Sequence, residues 1–167
     1  MRTLREVASA DEDFVGFFGR EYARLARACL LLTGSPTEAE ELAQEALVRV
    51  YARWNNVGSM ESPEGYLYRT ALNLNRKRIR RLAVRTRYLH QSSWRPDQIE
   101  VAEERLDVLR AVATLPRGQR EVLVLIEWLD LDINEVGSLL GIAQASVRVR
   151  LHRARRALRE RFGGSDA

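Results

Sequence analysis

Arginine is concentrated in the segment from Ile133 to Arg155, which reads INEVGSLLGIAQASVRVRLHRAR. The planar guanidinium group donates paired hydrogen bonds to phosphate or to the edge of guanine, so the chemistry available here is recognition of nucleic acid. If residues 145–162 form one helix, at about 100° per residue, apolar and basic side chains separate onto opposite sides. The inward stripe is Val147, Leu151, Ala154 and Leu158, and the other side carries Arg148, Val149, His152, Arg153, Arg156 and Arg159.

The residues before this helix have the order of a helix-turn-helix motif. Residues 133–140 predict a short helix that Asp132 can cap. Gly141 suits the sharp turn, and Gly137 is small where the two helices must pack closely. The second helix of such a motif inserts its N-terminal residues into the major groove, where Arg148 and Arg153 could hydrogen-bond base edges or phosphates. The full set of DNA contacts that we predict on this helix is Gln144, Ser146, Arg148, Val149, His152, Arg153 and Arg156. The alternative is a basic helix face that meets only solvent.

A second basic face lies in the sequence YRTALNLNRKRIRRL, and no acidic residue occurs between residues 69 and 87. As a helix, this segment places Tyr68, Leu72, Asn75 and Ile79 on its inner side. We predict nucleic-acid contacts from Arg69, Asn73, Arg76, Lys77, Arg80 and Arg81, which we call the basic face. Alone, it could equally be a solubilising or RNA-binding surface. Two basic faces joined by a linker favour bipartite recognition of one nucleic acid.

Acidic residues are segregated in the sequence EAEELAQEALVRVY. The predicted inward residues of this helix are Ala39, Leu42, Ala43, Ala46 and Val50. The residues toward solvent, which we call the acidic face, are Glu41, Gln44, Glu45 and Val48. Such a face is unsuited to DNA but suits a basic protein partner. The alternative is an acidic cluster that only satisfies the helix dipole.

Helical periodicity organises the elements that must position these faces. From Asp13 to Leu32 apolar residues recur three or four apart, and the predicted buried stripe is Phe14, Phe18, Tyr22, Leu25, Cys29 and Leu32. Gly34 suits the C-cap of this helix, and Ser35 and Pro36 begin the next one. Later elements are a helix ending near Trp54, a turn-rich loop at residues 55–65, a helix at residues 66–82 and two helices around Pro116. The predicted all-α fold has two small helical domains and a flexible linker, at residues 10–84, 99–162 and 85–98 respectively.

Composition excludes several classes of function. The chain has 167 residues, 46% of them apolar and 30% charged, with a net charge of +4. The only cysteine, Cys29, permits neither an intramolecular disulfide nor a cysteine-rich zinc site. Since neither His90 nor His152 belongs to a catalytic or metal-binding pattern, we expect no enzyme activity, cofactor or metal. No signal peptide is evident and no apolar run reaches the roughly 20 residues of a membrane span, so we expect a cytoplasmic protein.

Three segments together resemble the two-domain sigma factors of the extracytoplasmic function (ECF) group of bacterial RNA polymerase, which carry regions 2 and 4 only. The segments are ACLLLTGSPTEAEELAQEALVRVYARW, YLYRTALNLNRKRIRR and LPRGQREVLVLIEWLDLDINEVGSLLGIAQASVRVRLHRARRALR. The resemblance implies that the acidic face binds the clamp helices of the largest catalytic subunit of core RNA polymerase. It also implies that residues 69–81 meet the −10 promoter element, and that the loop from Val57 to Gly65 captures a flipped base.

In region 4, GIAQASVRVRLHRAR is similar to the family pattern GxSxGTVKSRLxRAR, which implies that Arg148, Val149, His152 and Arg153 read the −35 element. Val149 replaces the usual serine and Ala145 a common glycine, so base readout is expected to differ from the typical motif. Asn73 matches the asparagine that ends a YRxAxN-like motif. Family members are often held inactive by an anti-sigma factor, so the expected partners are core polymerase, promoter DNA and an anti-sigma factor.

Other classes explain less of the sequence. A stand-alone helix-turn-helix repressor would account for residues 133–161 but would leave the acidic face and the basic face without a role. An RNA-binding protein could use both basic faces, but the chain has no RNA-recognition signature. The aromatic residues nearest the basic face, Trp54, Tyr66 and Tyr68, are expected to belong to the core rather than to a stacking platform.

Overall fold

The computed structural model describes residues 4–86 and 103–163, and the side chains of residues 13–84 and 106–163. These residues form eight helices and no strand, which confirms the all-α prediction. The helices are α1 (Leu4–Thr33), α2 (Pro36–Tyr51), α3 (Trp54–Val57), α4 (Pro63–Thr86), α5 (Glu103–Thr114), α6 (Arg117–Glu127), α7 (Ile133–Leu140) and α8 (Gln144–Gly163). None of these helices is long and apolar enough to span a membrane.

The described residues fall into two compact units. The first contains residues 4–29 and 40–86, and the second contains residues 30–39 and 103–163. Helix α4 continues to Thr86, so the first two residues of the predicted linker are helical. The rest of that linker, including His90, lies outside the described residues, and the three predicted domain ranges remain a prediction.

The junction between α1 and α2 follows local rules that the sequence predicts. Gly34 adopts a left-handed conformation with φ 70°, and its N–H donates to the carbonyl of Leu30 at 2.8 Å. The Ser35 hydroxyl lies 3.4 Å from the N–H of Glu38, and Pro36 is the first helical residue. The predicted positions of Gly34, Ser35 and Pro36 are therefore confirmed.

Helix boundaries after α2 differ from the predicted ones. Helix α2 ends at Tyr51 rather than near Trp54, and α3 occupies the start of the predicted loop. Helix α4 begins at Pro63 because proline fits the first turn and the Ser62 hydroxyl accepts the N–H of Gly65 at 3.1 Å. A four-residue helix such as α3 is too short to produce a periodic signal.

The core of the first unit contains the inward residues of α1, α2 and α4. It includes Phe17, Leu25, Ala28, Cys29, Leu42, Ala43, Ala46, Val50, Leu67, Tyr68, Ala71 and Leu72. One predicted core position is wrong, because Phe18 is 41% exposed whereas Phe17 is 3% exposed. Trp54 of α3 covers the Phe17 side of α1, with ring centroids 4.9 Å apart, and Phe18 instead stacks on Tyr22.

The second unit is built around α8, which packs against α6 and α7 and more lightly against α5. Its core includes Leu109, Val112, Val122, Leu123, Val124, Leu125, Val136, Val147, Leu151 and Ala154. The carboxylate of Glu121 is also buried, and it accepts a hydrogen bond from Arg117 at 3.0 Å on the same helix. This core fixes which side of α8 remains at the surface.

Candidate partner and nucleic-acid interfaces

A capping box starts the two-helix motif formed by α7 and α8. The Asp132 carboxylate accepts the N–H of Glu135 at 2.8 Å, and the Glu135 carboxylate accepts the N–H of Asp132 at 2.7 Å. At the other end of α7, Gly141 has φ 67°, the left-handed conformation that favours glycine. The predicted roles of Asp132 and Gly141 are confirmed.

Gly137 allows the turn to lie directly against α7. A Cβ atom at this position would lie 3.0 Å from the carbonyl oxygen of Ile142, which is backbone and cannot rotate away. The N–H of Ile142 donates to the carbonyl of Gly137 at 3.0 Å, so both backbones are held close. The side chain of Gln144, the first residue of α8, also donates to Asn134 on α7. These contacts fix where α8 begins and which side it exposes.

Helix α8 separates its faces as predicted. Val147, Leu151 and Ala154 are buried, and Leu158 is half-buried. All the predicted DNA contacts are exposed, namely Gln144, Ser146, Arg148, Val149, His152, Arg153 and Arg156. The side chain of Val149 is 47% exposed, so an apolar group lies among the basic ones. Such a group could contact the methyl group of thymine.

The arginines of α8 differ in their ion pairs. Arg155 donates to Glu127 of α6 at 2.5 and 2.9 Å, and these hydrogen bonds hold its side chain against α6. Arg156 donates to Glu160 within α8 at 2.7 Å. Arg148 and Arg153 form no ion pair with any other described residue. These two guanidinium groups can therefore meet phosphate or a base edge without first breaking an ion pair inside the described protein.

Helices α2 and α4 line a cavity of about 600 Å³, which we call the basic cavity. Its lining is Arg49, Ala52, Arg53, Tyr66, Thr70, Asn73, Leu74, Lys77 and Arg80. Of the predicted basic face, Asn73, Lys77 and Arg80 line this cavity, whereas Arg69, Arg76 and Arg81 lie elsewhere on α4. The volume falls in the range of small-molecule pockets, so a nucleotide base would fit.

Four polar residues of the basic cavity are outside the predicted set: Arg49, Arg53, Tyr66 and Thr70. Arg53 donates to the Tyr66 hydroxyl at 3.0 Å, and Thr70 donates to the Tyr66 carbonyl at 2.8 Å. The four-residue spacing of Arg49 and Arg53 would place both on one side of a helix, which is the signal in the sequence that could have identified them.

The acidic face is exposed at all four predicted positions, Glu41, Gln44, Glu45 and Val48. Gln44 donates to Glu40 at 3.1 Å, and Arg49 donates to Glu45 at 2.6 Å. Val48 is 66% exposed, which places an apolar group at the C-terminal end of the acidic face. A complementary partner surface would therefore combine basic and apolar side chains.

A second cavity, of about 640 Å³, adjoins the loop from Val57 to Gly65. We call it the loop cavity, and its lining is Asp13, Gly16, Phe17, Arg20, Trp54, Asn55, Gly58, Ser59, Pro63 and Glu64. Gly58 lies directly against Trp54, because a Cβ atom there would be 2.9 Å from the indole ring. The lining combines the aromatic rings of Phe17 and Trp54 with side chains that donate hydrogen bonds, such as Arg20, and side chains that accept them, such as Asp13.

Two ionisable groups in the core of the first unit, Cys29 and Tyr68, are held in their protonated forms by their surroundings. Burial raises the pKa of the Cys29 thiol to about 12, so the thiolate is strongly disfavoured. Burial, followed by the hydrogen bond that Tyr68 donates to Glu21 at 2.5 Å, raises the pKa of the Tyr68 hydroxyl. Among the described residues, no group of three or more histidine, cysteine or acidic side chains could hold a metal ion.

Family models match both parts of the chain. The model for region 2 of the sigma-70 family matches residues 17–85, which include the acidic face and the basic cavity. The model for region 4 of the sigma-70 family matches residues 105–158, which include α7 and most of α8. Among solved structures, the sigma factor RpoE in complex with the anti-sigma factor NepR from Bartonella quintana has a TM-score of 0.75 at 21% identity. That match covers 93% of this chain and 99% of the other, and it shows a shared fold.

Two proteins that are similar to this chain over most of its length are named as RNA polymerase sigma factors. An RNA polymerase sigma-E factor from Streptomyces avermitilis is 32% identical over 154 residues, which cover 87% of this chain and 86% of that protein. The ECF RNA polymerase sigma factor SigL from Mycobacterium tuberculosis is 31% identical over 144 residues, which cover 82% and 81% respectively. With both sigma regions matched, the chain belongs to the extracytoplasmic function sigma factors of RNA polymerase.

Proposed function

We propose that this sigma factor assigns core binding and promoter reading to three separate surfaces. The acidic face of α2 binds the clamp helices of the largest subunit of core RNA polymerase. The basic face and the basic cavity bind the −10 element, and the exposed side of α8 binds the −35 element. The segregation of charge supports this assignment, because the acidic and basic groups occupy different helix faces and all of them except half-buried Arg76 are exposed. The proposed role is recognition of DNA rather than catalysis.

The guanidinium groups of α8 that form no ion pair with another described residue support readout of the −35 element. Arg148 and Arg153 lie about 1.4 turns apart on the exposed side, in the half of α8 that begins at the end which a helix-turn-helix inserts into the major groove. Arginine there can donate two hydrogen bonds to guanine, and Val149 between them can contact a thymine methyl group. Arg156 would exchange its Glu160 partner for a phosphate, and because both side chains are exposed this exchange costs little.

Reading of the −10 element requires bases that have left the duplex stack. Flipping a base costs a few kcal/mol, and a fitted pocket must offset that cost. The basic cavity offers hydrogen-bonding groups from Asn73 and Thr70 and positive charge from Arg53 and Lys77 for the strand backbone. Tyr68 is 2% exposed and cannot stack on a base, which leaves half-buried Tyr66 as the aromatic group in this cavity. A promoter with easily melted steps is therefore favoured.

An anti-sigma factor is the proposed regulator. One similar fold, the sigma factor RpoE, was solved in complex with the anti-sigma factor NepR, and another, CnrH, was solved in complex with the cytosolic domain of CnrY. A partner that covers the acidic face would block core polymerase, and one that covers α8 would block the −35 element. Since core polymerase and promoter DNA are the working partners, the proposed site of action is the cytoplasm.

Gel filtration with core RNA polymerase tests the proposed function. Wild-type protein should elute with core polymerase, and the double variant Gln44→Ala/Glu45→Arg should not, because the partner then meets a reversed charge. The matched control is Asp107→Arg, which reverses an exposed acidic side chain on α5, outside the acidic face. Loss of co-elution for both variants, or for neither, would contradict the assignment of the acidic face.

Transcription on pre-melted templates tests the −10 assignment. Heteroduplex DNA already open at the −10 element should relieve much of the sequence requirement, because the flipping cost no longer has to be offset. No relief would contradict the role of captured bases. The stand-alone repressor is not favoured, since the chain belongs to the sigma factors; tight binding of promoter duplex at physiological salt without polymerase would revive it.

A further inference from the structure

A row of aromatic side chains continues the acidic face from α2 onto α1. Its members, which we call the aromatic row, are Tyr51, Phe14, Phe18 and Tyr22. The ring centroids of consecutive members are 4.8, 6.4 and 5.1 Å apart. Tyr51 and Phe18 are 49% and 41% exposed, and Phe14 and Tyr22 are half-buried.

The exposed part of the aromatic row, Phe18 and Tyr51, is not needed to cover the core of the first unit. Phe14 and Phe17 both contact Trp54, with ring centroids 5.2 and 4.9 Å apart, so the inner side of α1 is already covered. Phe18 and Tyr51 lie on the outer side of these contacts and keep nearly half of their surface in water. Adjoining exposed aromatic groups of this kind are typical of protein interfaces, where tyrosine and phenylalanine are enriched.

The position of Tyr51 links the row to the acidic face. Tyr51 lies three residues after Val48 on α2, so the two side chains are neighbours on one side of the helix. From Glu41 to Tyr51 the surface extends about 15 Å along α2, and from Phe14 to Tyr22 about 12 Å along α1. A partner that covers Val48 and Glu45 would therefore meet Tyr51 at the edge of the same contact, and Phe14 and Phe18 beyond it.

We propose that the aromatic row is the apolar half of the core polymerase docking surface, and that Phe18 and Tyr51 anchor the polymerase helices that the acidic face attracts. This inference rests on the proposed function. The occupant is a helical surface of core polymerase that carries both basic and apolar side chains, since charge alone would leave Val48, Tyr51 and Phe18 in water. The charges provide orientation and rate of association, and the aromatic groups slow dissociation.

Binding of the full chain to immobilised core RNA polymerase tests the proposal. Phe18→Ala and Tyr51→Ala should each weaken the equilibrium affinity by roughly fivefold or more, mainly through faster dissociation. Both side chains are exposed, so the variants should fold, and circular dichroism with thermal unfolding verifies this. The matched control is Phe162→Ala, which removes a phenylalanine of similar exposure, 47%, from α8.

A fourth variant, Glu41→Lys, separates failure of this inference from failure of the proposed function. If wild type does not bind core polymerase, the proposed function itself fails. If Glu41→Lys weakens binding but Phe18→Ala and Tyr51→Ala do not, the acidic face binds polymerase and the aromatic row does not, so this inference is overturned. Equal weakening by Phe162→Ala would also overturn it, because the effect would then not belong to this surface.

Discussion

Arg49 donates a hydrogen bond of 2.6 Å to Glu45, one turn earlier on α2. Glu45 belongs to the acidic face, whereas Arg49 lines the basic cavity, so this ion pair connects the surface proposed for polymerase with the cavity proposed for the −10 element. Both side chains are about half exposed, at 53% and 54%, and such a pair exchanges partners at little cost. A basic group of polymerase that takes Glu45 would release Arg49 toward DNA.

Glu45→Gln should therefore strengthen binding of a single-stranded −10 oligonucleotide in the absence of polymerase. An exposed pair at this spacing is worth about 0.3–0.5 kcal/mol, so the gain should be about twofold at most. Fluorescence anisotropy at low ionic strength measures it, and added salt should reduce it. The control is the double variant Glu45→Gln/Arg49→Gln, compared with Arg49→Gln alone. A gain of equal size in that background would show that Glu45 acts through net charge and not through Arg49.

Asp132→Ala should destabilise the second unit and weaken binding of −35 duplex DNA. It removes the acceptor for the Glu135 N–H and half of the capping box at the start of α7. Loss of such a cap costs about 1 kcal/mol, within a range of about 0.5–2. Urea denaturation followed by circular dichroism measures the change in the free energy of unfolding. Asp132→Ser is the matched control, because its hydroxyl can still accept the bond. If serine is no better than alanine, the cap is not the cause.

The helices and caps could be predicted because their signals are local. Asp132, Gly141, Ser35 and Pro36 each act within one turn of their own position, so residue type and spacing are sufficient. The exposed side of α8 follows equally from its apolar period. The proposed contact residues on these faces stay predictions, because exposure alone does not identify a ligand.

The basic cavity could not be predicted in full because it depends on how two helices meet. Arg53 and Tyr66 are 13 residues apart, and α3 lies between them in the chain, so their hydrogen bond has no local signature. The prediction that Phe18 is buried was wrong for a related reason. Periodicity gives the direction of an apolar stripe, but the neighbour that covers each end, here Trp54 over Phe17, is a matter of tertiary packing.

Tyr68→Phe should lower the free energy of unfolding of the first unit by about 1 kcal/mol, because it removes the hydroxyl that donates a hydrogen bond to the Glu21 carboxylate. The folded-state pKa of Tyr68 is raised above its usual value near 10. Its protonated form is therefore favoured by folding, and this stability is fully present below pH 10 and is lost as pH rises above 10. The variant should lose less stability than wild type over that alkaline range.

The control for Tyr68 is Tyr66→Phe, which removes a hydroxyl that accepts an exposed hydrogen bond from Arg53 at 3.0 Å. It should change the free energy of unfolding little and leave the alkaline loss intact. Denaturation series at neutral and alkaline pH compare the three proteins. Identical pH profiles for wild type and Tyr68→Phe would rule out the buried hydroxyl as a source of the alkaline loss.

Arg153→Ala should weaken binding of −35 duplex DNA far more than Arg155→Ala, although the two arginines are neighbours in one helix. Arg153 forms no ion pair with another described residue, whereas Arg155 is held by Glu127 of α6. If Arg153 contacts a phosphate, its loss should also lower the slope of log affinity against log salt by about 0.9, and if it reads guanine, discrimination at one base pair should fall by about 1–3 kcal/mol. Arg155→Ala should leave both quantities unchanged and cost at most about 1 kcal/mol of stability.

Anisotropy titrations over a series of salt concentrations, with matched and mismatched −35 sequences, separate these cases. Equal losses for the two variants would mean that α8 binds DNA through its total charge, and the ion pairs of its arginines would then not select the contacts.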